Sequence, residues 1–156
     1  MILNPGRSNE IRSSAAIVEV APYSPAFFTF NGASIAALNA SANNQTLADP
    51  RVAPGGVPAR PGDVVVLYGT GFGVTEPVYQ AGEFAAVPLR DAVSVTVGGV
   101  TLSAAEVLYA GSSIGAPGLF QFNIRVPAAT ADGDIPTSIR IGSSSTQPGA
   151  TIPIRR

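Results

Sequence analysis

The chain contains no cysteine and no histidine, and these two absences exclude most familiar site chemistry. Without cysteine there is no disulfide framework, no thiol nucleophile and no thiolate ligand, and the redox compartment is not readable from the sequence. Without histidine there can be no Ser-His-Asp or Cys-His relay. A metal would have to rest on oxygen ligands alone, which leaves calcium. Tryptophan is also missing, and the nine basic residues are all arginine. The lack of lysine reads as the codon bias of a GC-rich genome rather than as a mechanism. Charged residues make up only 12% and the net charge is −1, so the polar surface must come largely from Ser, Thr, Asn, Gln and backbone. The arginines form no basic stripe, and nucleic acid is not expected as a partner. No apolar run approaches the ~18 residues of a membrane-spanning helix. Met1-Ile-Leu-Asn-Pro has neither the basic start nor the apolar stretch of a signal peptide.

What is abundant is punctuation. Seventeen glycines and fourteen prolines break the chain every few residues, with short β-branched and aromatic runs between them, the signature of many short strands. The only window with room for a short helix is 33–48. Ala15–Ala21 reads as a strand, and Ala26–Phe30 as another that turns at Asn31-Gly32 and returns over Ser34–Asn39. Residues 40–62 read as a long loop; the sequons Asn39-Ala-Ser and Asn44-Gln-Thr fall at its start, and both are read as chance occurrences rather than glycosylation sites. Val64–Tyr68 is a continuous apolar run suited to a central strand, and 74–90 is a long excursion. Over 92–97, Val93, Val95 and Val97 share one face, before Gly98-Gly99 reverses the chain. Glu106–Ala110 is a further strand. Over 119–126, Phe120, Phe122, Ile124 and Val126 face the core, while Gln121, Asn123 and Arg125 face away. Phe28 and Phe30 are also assigned to the core. Ile139 and Ile141 are expected to pair with Ile152 and Ile154 across a turn at 143–149, with Pro153 holding that last strand at an edge or bulge. The sum is an all-β, immunoglobulin-like β-sandwich of about eight or nine short strands with little or no helix.

The segments PGDVVVLYGTGFG (61–73), VSVTVGGV (93–100), EVLYAG (106–111), FNIRVP (122–127) and GDIPTSIRI (133–141) resemble the IPT/TIG immunoglobulin-like domain. Upstream, SAAIVEVAPYSPAFFTFNG with Ala36-Ala37-Leu38-Asn39 is similar to the C-terminal domain of exported Solibacter-type (Acidobacteria) proteins. The resemblance covers roughly residues 7–156. It implies a structural or interaction module, secreted or at the cell surface, without an assigned active site or cofactor. It divides the chain into an N-terminal strand segment, hairpin and linker (1–59), part of the same folded unit, and an IPT/TIG-like sandwich (60–156). In such proteins the GRSNEIRSSAAIVEVA element looks like the last strand of a preceding domain. Here Ile17, Val18 and Val20 would then lack a sheet, and they are expected to pair either with the chain's own sandwich or with a neighbour by strand addition.

Sequence motifs that suggest chemistry fail on context. Gly111-Ser112-Ser113-Ile114-Gly115 has the spacing of a nucleophile elbow, but Ala116-Pro117-Gly118 forbids the helix the elbow needs, and there is no base. Gly69-Thr-Gly71-Phe-Gly73 follows a strand as a dinucleotide loop does, yet Val74-Thr75-Glu76-Pro77 cannot start a phosphate-binding helix. Asp132 and Asp134 are weak calcium candidates and read better as a turn. Tyr23, Tyr79 and Phe84 are the loop aromatics that could contact a carbohydrate or a protein. The expected function is therefore non-enzymatic: a structural or interaction module first, a self-assembling filament subunit second, a carbohydrate- or surface-binding module third.

Overall fold

The period-2 segments become strands of two antiparallel sheets in the computed structural model, which describes the chain except for residues 1, 4, 15, 16, 18 and 79–84. The chain starts with a small hairpin of β1 (Ile2–Leu3) and β2 (Ile11–Arg12). The first large sheet holds β3 (Ala26–Phe27), β4 (Ala37–Asn39), β5 (Gln45–Thr46), β6 (Val64–Thr70), β9 (Val107–Ser112) and β10 (Phe120–Arg125). The second holds β7 (Val93–Val97), β8 (Val100–Thr101), β11 (Gly133–Ile141), β12 (Ser144–Ser145) and β13 (Thr151–Ile154). Several strands are two-residue pieces, so the chain has more strands than the sequence suggests. The fold is nonetheless the β-sandwich expected. In the 33–48 window the only helical turn is 3-10, Ala40–Ala42, capped by the Asn39 side chain. That asparagine is buried, and its Nδ2 donates to Asp63 Oδ2.

β6 organises the first sheet. One edge pairs with β10 along six residues, from Val64 opposite Arg125 to Gly69 opposite Phe120. Its other edge is shared, first by β4 and then by β3. Strand alternation sends Val65 and Leu67 inward with Phe122 and Ile124, against Val95, Val97, Ile139 and Ile141 of the second sheet. Phe72 packs on Phe120 and Phe122 at centroid distances of 5.8 and 4.5 Å, the tilted geometries aromatic rings favour. Each large side chain buried in this way contributes about 2 kcal/mol relative to exposure. Among the described residues no fully buried position of this core comes from upstream of Phe27, and Tyr23 packs against it from the side as a half-buried residue. The sandwich closes without the N-terminal segment.

Two expectations are corrected. Phe28 and Phe30 are not core residues: they are 47% and 45% exposed, whereas Phe27 is buried. The Asn31-Gly32 hairpin forms as expected, but it puts Thr29 opposite Ile35, and Ile35 is fully buried. That choice of inward face turns the alternate positions 28 and 30 outward. Ile139 and Ile141 do not face Ile152 and Ile154. They face Val95 and Val93 of β7. The chain reverses tightly at Gly142-Ser143, so Ile141 faces Ser144. Two extra residues then enter around Gln147–Gly149, and pairing resumes with Ile135 opposite Ile152 and Gly133 opposite Ile154. The displaced Gln147 acts as a surrogate peptide: its Oε1 accepts from Phe27 N at 2.8 Å and its Nε2 donates to Phe27 O at 2.9 Å. Pro153 sits in β13, which pairs with β11 on one side and meets only isolated bridges at Ser34 and Ala59 on the other.

The Gly69–Gly73 run has a packing explanation. The segment Tyr23–Ala26 crosses it so closely that a Cβ on Gly71 would collide with the Ser24 carbonyl, and Gly71 also has φ +77°. Gly71→Ala should therefore cost more than about 3 kcal/mol, through clash and left-handed strain together, lowering Tm by about 10 °C. Gly55→Ala, at φ +81° with open space around it, should cost only roughly 1 kcal/mol. Paired thermal melts check the contrast.

Candidate functional site

The feature that stands apart is the N-terminal arm, residues 1–22. Its local structure is simple: the β1–β2 hairpin, with Glu10 N donating to Arg7 O and Gly6 N to Glu10 Oε2 around the turn. Beyond β2 the chain runs without sheet pairing among the described residues until Ser24, whose N–H donates to Gly71 O at 2.9 Å. The strand expected over 15–21 does not form at the described positions. Ile17 is 99% exposed and Val20 is 92% exposed. Val18 lies outside the described residues. Other valines and isoleucines are exposed as well, among them Ile11, Val78, Val100 and Ile114 at 55–63%, but Ile17 and Val20 are almost wholly bare and lie three residues apart on one unpaired segment.

Tyr23 fixes where the arm ends. Its hydroxyl donates to Asp91 Oδ2 at 2.7 Å, and Arg90 Nη2 lies 3.2 Å from the same oxygen. Its ring lies over Gly73 and Gly142, where a Cβ would approach the ring edge to 2.8 and 3.0 Å. Tyr23 thus bridges the exit of β6 in one sheet and the β11–β12 turn of the other. The Tyr23 hydroxyl first, then Arg90, hold the Asp91 carboxyl below the ordinary carboxylate range. The same bond pushes the Tyr23 phenol up. The residue read as a free loop aromatic is a clasp. Tyr79 and Phe84, the other two, lie outside the described residues.

The remaining candidates are structural in their contacts. Asp134 Oδ1 is 3.3 Å from Arg155 Nη2, and Asp132 Oδ1 is 3.9 Å from Arg156 Nη1. Both carboxylates face arginines, and no group of three potential metal ligands assembles among the described residues. Ser113, the elbow position, has its Oγ 3.2 Å from Gln121 Oε1 and is followed by turns rather than a helix. Ser112 Oγ is buried and donates to Ala85 O, tethering the 74–90 excursion to β9. No helix among the described residues is long and apolar enough to cross a membrane. The sequence reading missed the outward aromatic pair Phe28 and Phe30; the signal available was the alternation itself, since Phe27 and Phe28 must point to opposite faces.

No family model, curated protein or solved structure matches the chain.

Because Asp91 has a lowered pKa when folded, its interactions stabilise the protein above the unfolded carboxylate pKa of about 4 and are lost as pH falls through the folded value. Asp91→Asn should accordingly lower Tm at pH 7, with the gap to the parent narrowing as pH drops from about 4. A gap that stays constant down to acid-induced unfolding would show that the carboxylate charge does not stabilise the clasp.

Proposed function

We propose that the chain is a non-enzymatic interaction module of a secreted or surface-associated bacterial protein, and that its arm is a strand donor. The observation that carries this reading is the pair Ile17 and Val20, exposed on a segment unpaired among its described residues, in front of a sandwich that is closed without it. An extended segment with apolar residues and free backbone groups gains both hydrogen bonds and burial by adding to a sheet edge. Among its described residues the arm pairs with neither large sheet of its own chain before Ser24, and in this reading the receiving edge belongs to a neighbouring molecule. With a second copy as receiver the contact is head-to-tail, and repetition yields a filament. The resemblance to the IPT/TIG and Solibacter-type modules supports an extracellular setting. The lack of histidine and cysteine, with Ser113 bonded to an amide rather than a base, supports a non-catalytic role.

A second reading rests on the same arm. In the Solibacter-type arrangement the segment would close a domain encoded before it, and the module would act as a spacer or cap.

Deletion of residues 1–21 separates the two. Under strand donation the parent chain forms oligomers or filaments by size exclusion and negative-stain imaging, and the truncated chain is a monomer. The melting temperature of the truncated monomer should stay within a few degrees of the parent, because no core residue is removed. A parent chain that remains a discrete monomer at high concentration removes self-assembly and leaves the spacer reading.

A further inference from the structure

The outer face of the first sheet is independent of the arm and has its own chemistry. Phe28 continues the β3 register beside Tyr68, with Phe28 N donating to Tyr68 O. Tyr68 stands opposite Gln121 on the next strand. One row across the sheet therefore reads Phe28, Tyr68, Gln121. The adjacent row reads Leu38, Val66, Asn123, Tyr109, and Phe30 follows Phe28 by two residues in the hairpin, where its N–H donates to Ser34 O. Strand geometry places neighbouring stations about 4.8 Å apart across the sheet and about 6.8 Å apart along it. The side chains of the two rows alternate with the core partners Leu67, Phe122 and Ile124 and so lie on the opposite face.

Three properties narrow the ligand. First, Phe28 and Phe30 are nearly half exposed, and burial pushes the Tyr68 phenol up while its hydroxyl has no protein partner among the described residues. Second, the amides are oriented: Gln121 Oε1 accepts from Ser113 Oγ and Gln121 Nε2 donates to Asn123 Oδ1. That leaves one N–H of Gln121 and the Asn123 amide group without a protein acceptor among the described residues. Third, neither row holds a charge. The nearest, Arg125, lies one row further on, opposite Val64, and donates to Gly62 O.

We propose that this face binds a neutral polysaccharide, with Phe28, Phe30 and Tyr68 under the sugar rings and the Gln121 and Asn123 amides at its hydroxyls. Sugar C–H faces meet the negative face of an aromatic ring favourably, and hydroxyls satisfy amide donors that an apolar protein surface would leave unpaired at a cost. An acidic or phosphorylated polymer would find no counter-charge. The ligand stays wet at its edges, which suits a shallow open face.

The test uses the full chain in affinity gels containing xylan, mixed-linkage β-glucan, galactomannan or starch, with cellulose and chitin tested by co-sedimentation. Retention by at least one of these, unchanged at about 0.5 M salt, is expected. The Phe28→Ala/Phe30→Ala double variant should bind at least about tenfold more weakly with its Tm unchanged, because both side chains are outside the core. Tyr68→Phe, which keeps the ring, should weaken binding by only a few-fold. The proposal is overturned if the parent binds none of the six polymers, or if the double variant binds as the parent does. It is also overturned if the parent forms a dimer that the double variant abolishes, because the face is then a protein contact. Since removal of residues 1–21 leaves this face intact, its outcome does not depend on the arm.

Discussion

The close crossing of residues 23–26 over the glycines that end β6 is the constraint on which the rest of the molecule depends. Gly71 must be bare for Ser24 to approach, and that approach delivers β3 to the upper half of β6. β3 in turn fixes the hairpin that carries Ile35 into the core and brings Ser34 against Thr151 of the second sheet. The Tyr23 ring lies across Gly73 and Gly142, and its hydroxyl reaches Asp91 at the start of β7. One short segment thus ties together both sheets and defines the boundary between body and arm. Upstream of it the described residues have no sheet contact with the body.

That boundary explains how binding and folding are separated here. The core is assembled from Phe27 onward, so changes in the arm act on contacts outside the sandwich rather than on its stability. The outward aromatic row has the same property. Phe28 and Phe30 hang from a backbone whose pairing is set by Phe27, Thr29 and Ile35, and their own side chains are available for other surfaces. Both candidate interfaces are therefore carried by a frame that does not need them.

Much of the frame was legible in the sequence because strand periodicity is local. Phe120, Phe122, Ile124 and Val126 alternate so regularly that only one face could be inward, and β10 has that face buried. Gly98-Gly99 announces its own hairpin, and Val97 faces Val100 across it. The failures share a physical cause, which is information held at long range. In AFFTF two aromatics compete with one for the inside, and the decision lies with the pairing of Thr29 and Ile35 rather than with hydrophobicity. Tyr23 looks like a loop residue because its partner Asp91 is 68 residues away. The β11 partners were misassigned because Ile135, Ile139 and Ile141 all satisfy the same pattern. Of the arm, the apolar character of Ile17 and Val20 was evident, but only the structure places them in solvent.

The insertion around Gln147 has a consequence for how this fold tolerates change in length. Side chains along a strand alternate with a period of two, so an insertion of two residues preserves the parity of everything downstream. Ile152 and Ile154 consequently still point inward, and the hairpin between β11 and β13 accommodates the surplus as a bulge. One residue more or fewer would invert that parity, taking both isoleucines off the core face and carrying Thr151 and Pro153 onto it. Length variation at this corner should therefore be quantised: even steps lengthen a surface loop, and odd steps exchange the inside of the closing strand for its outside.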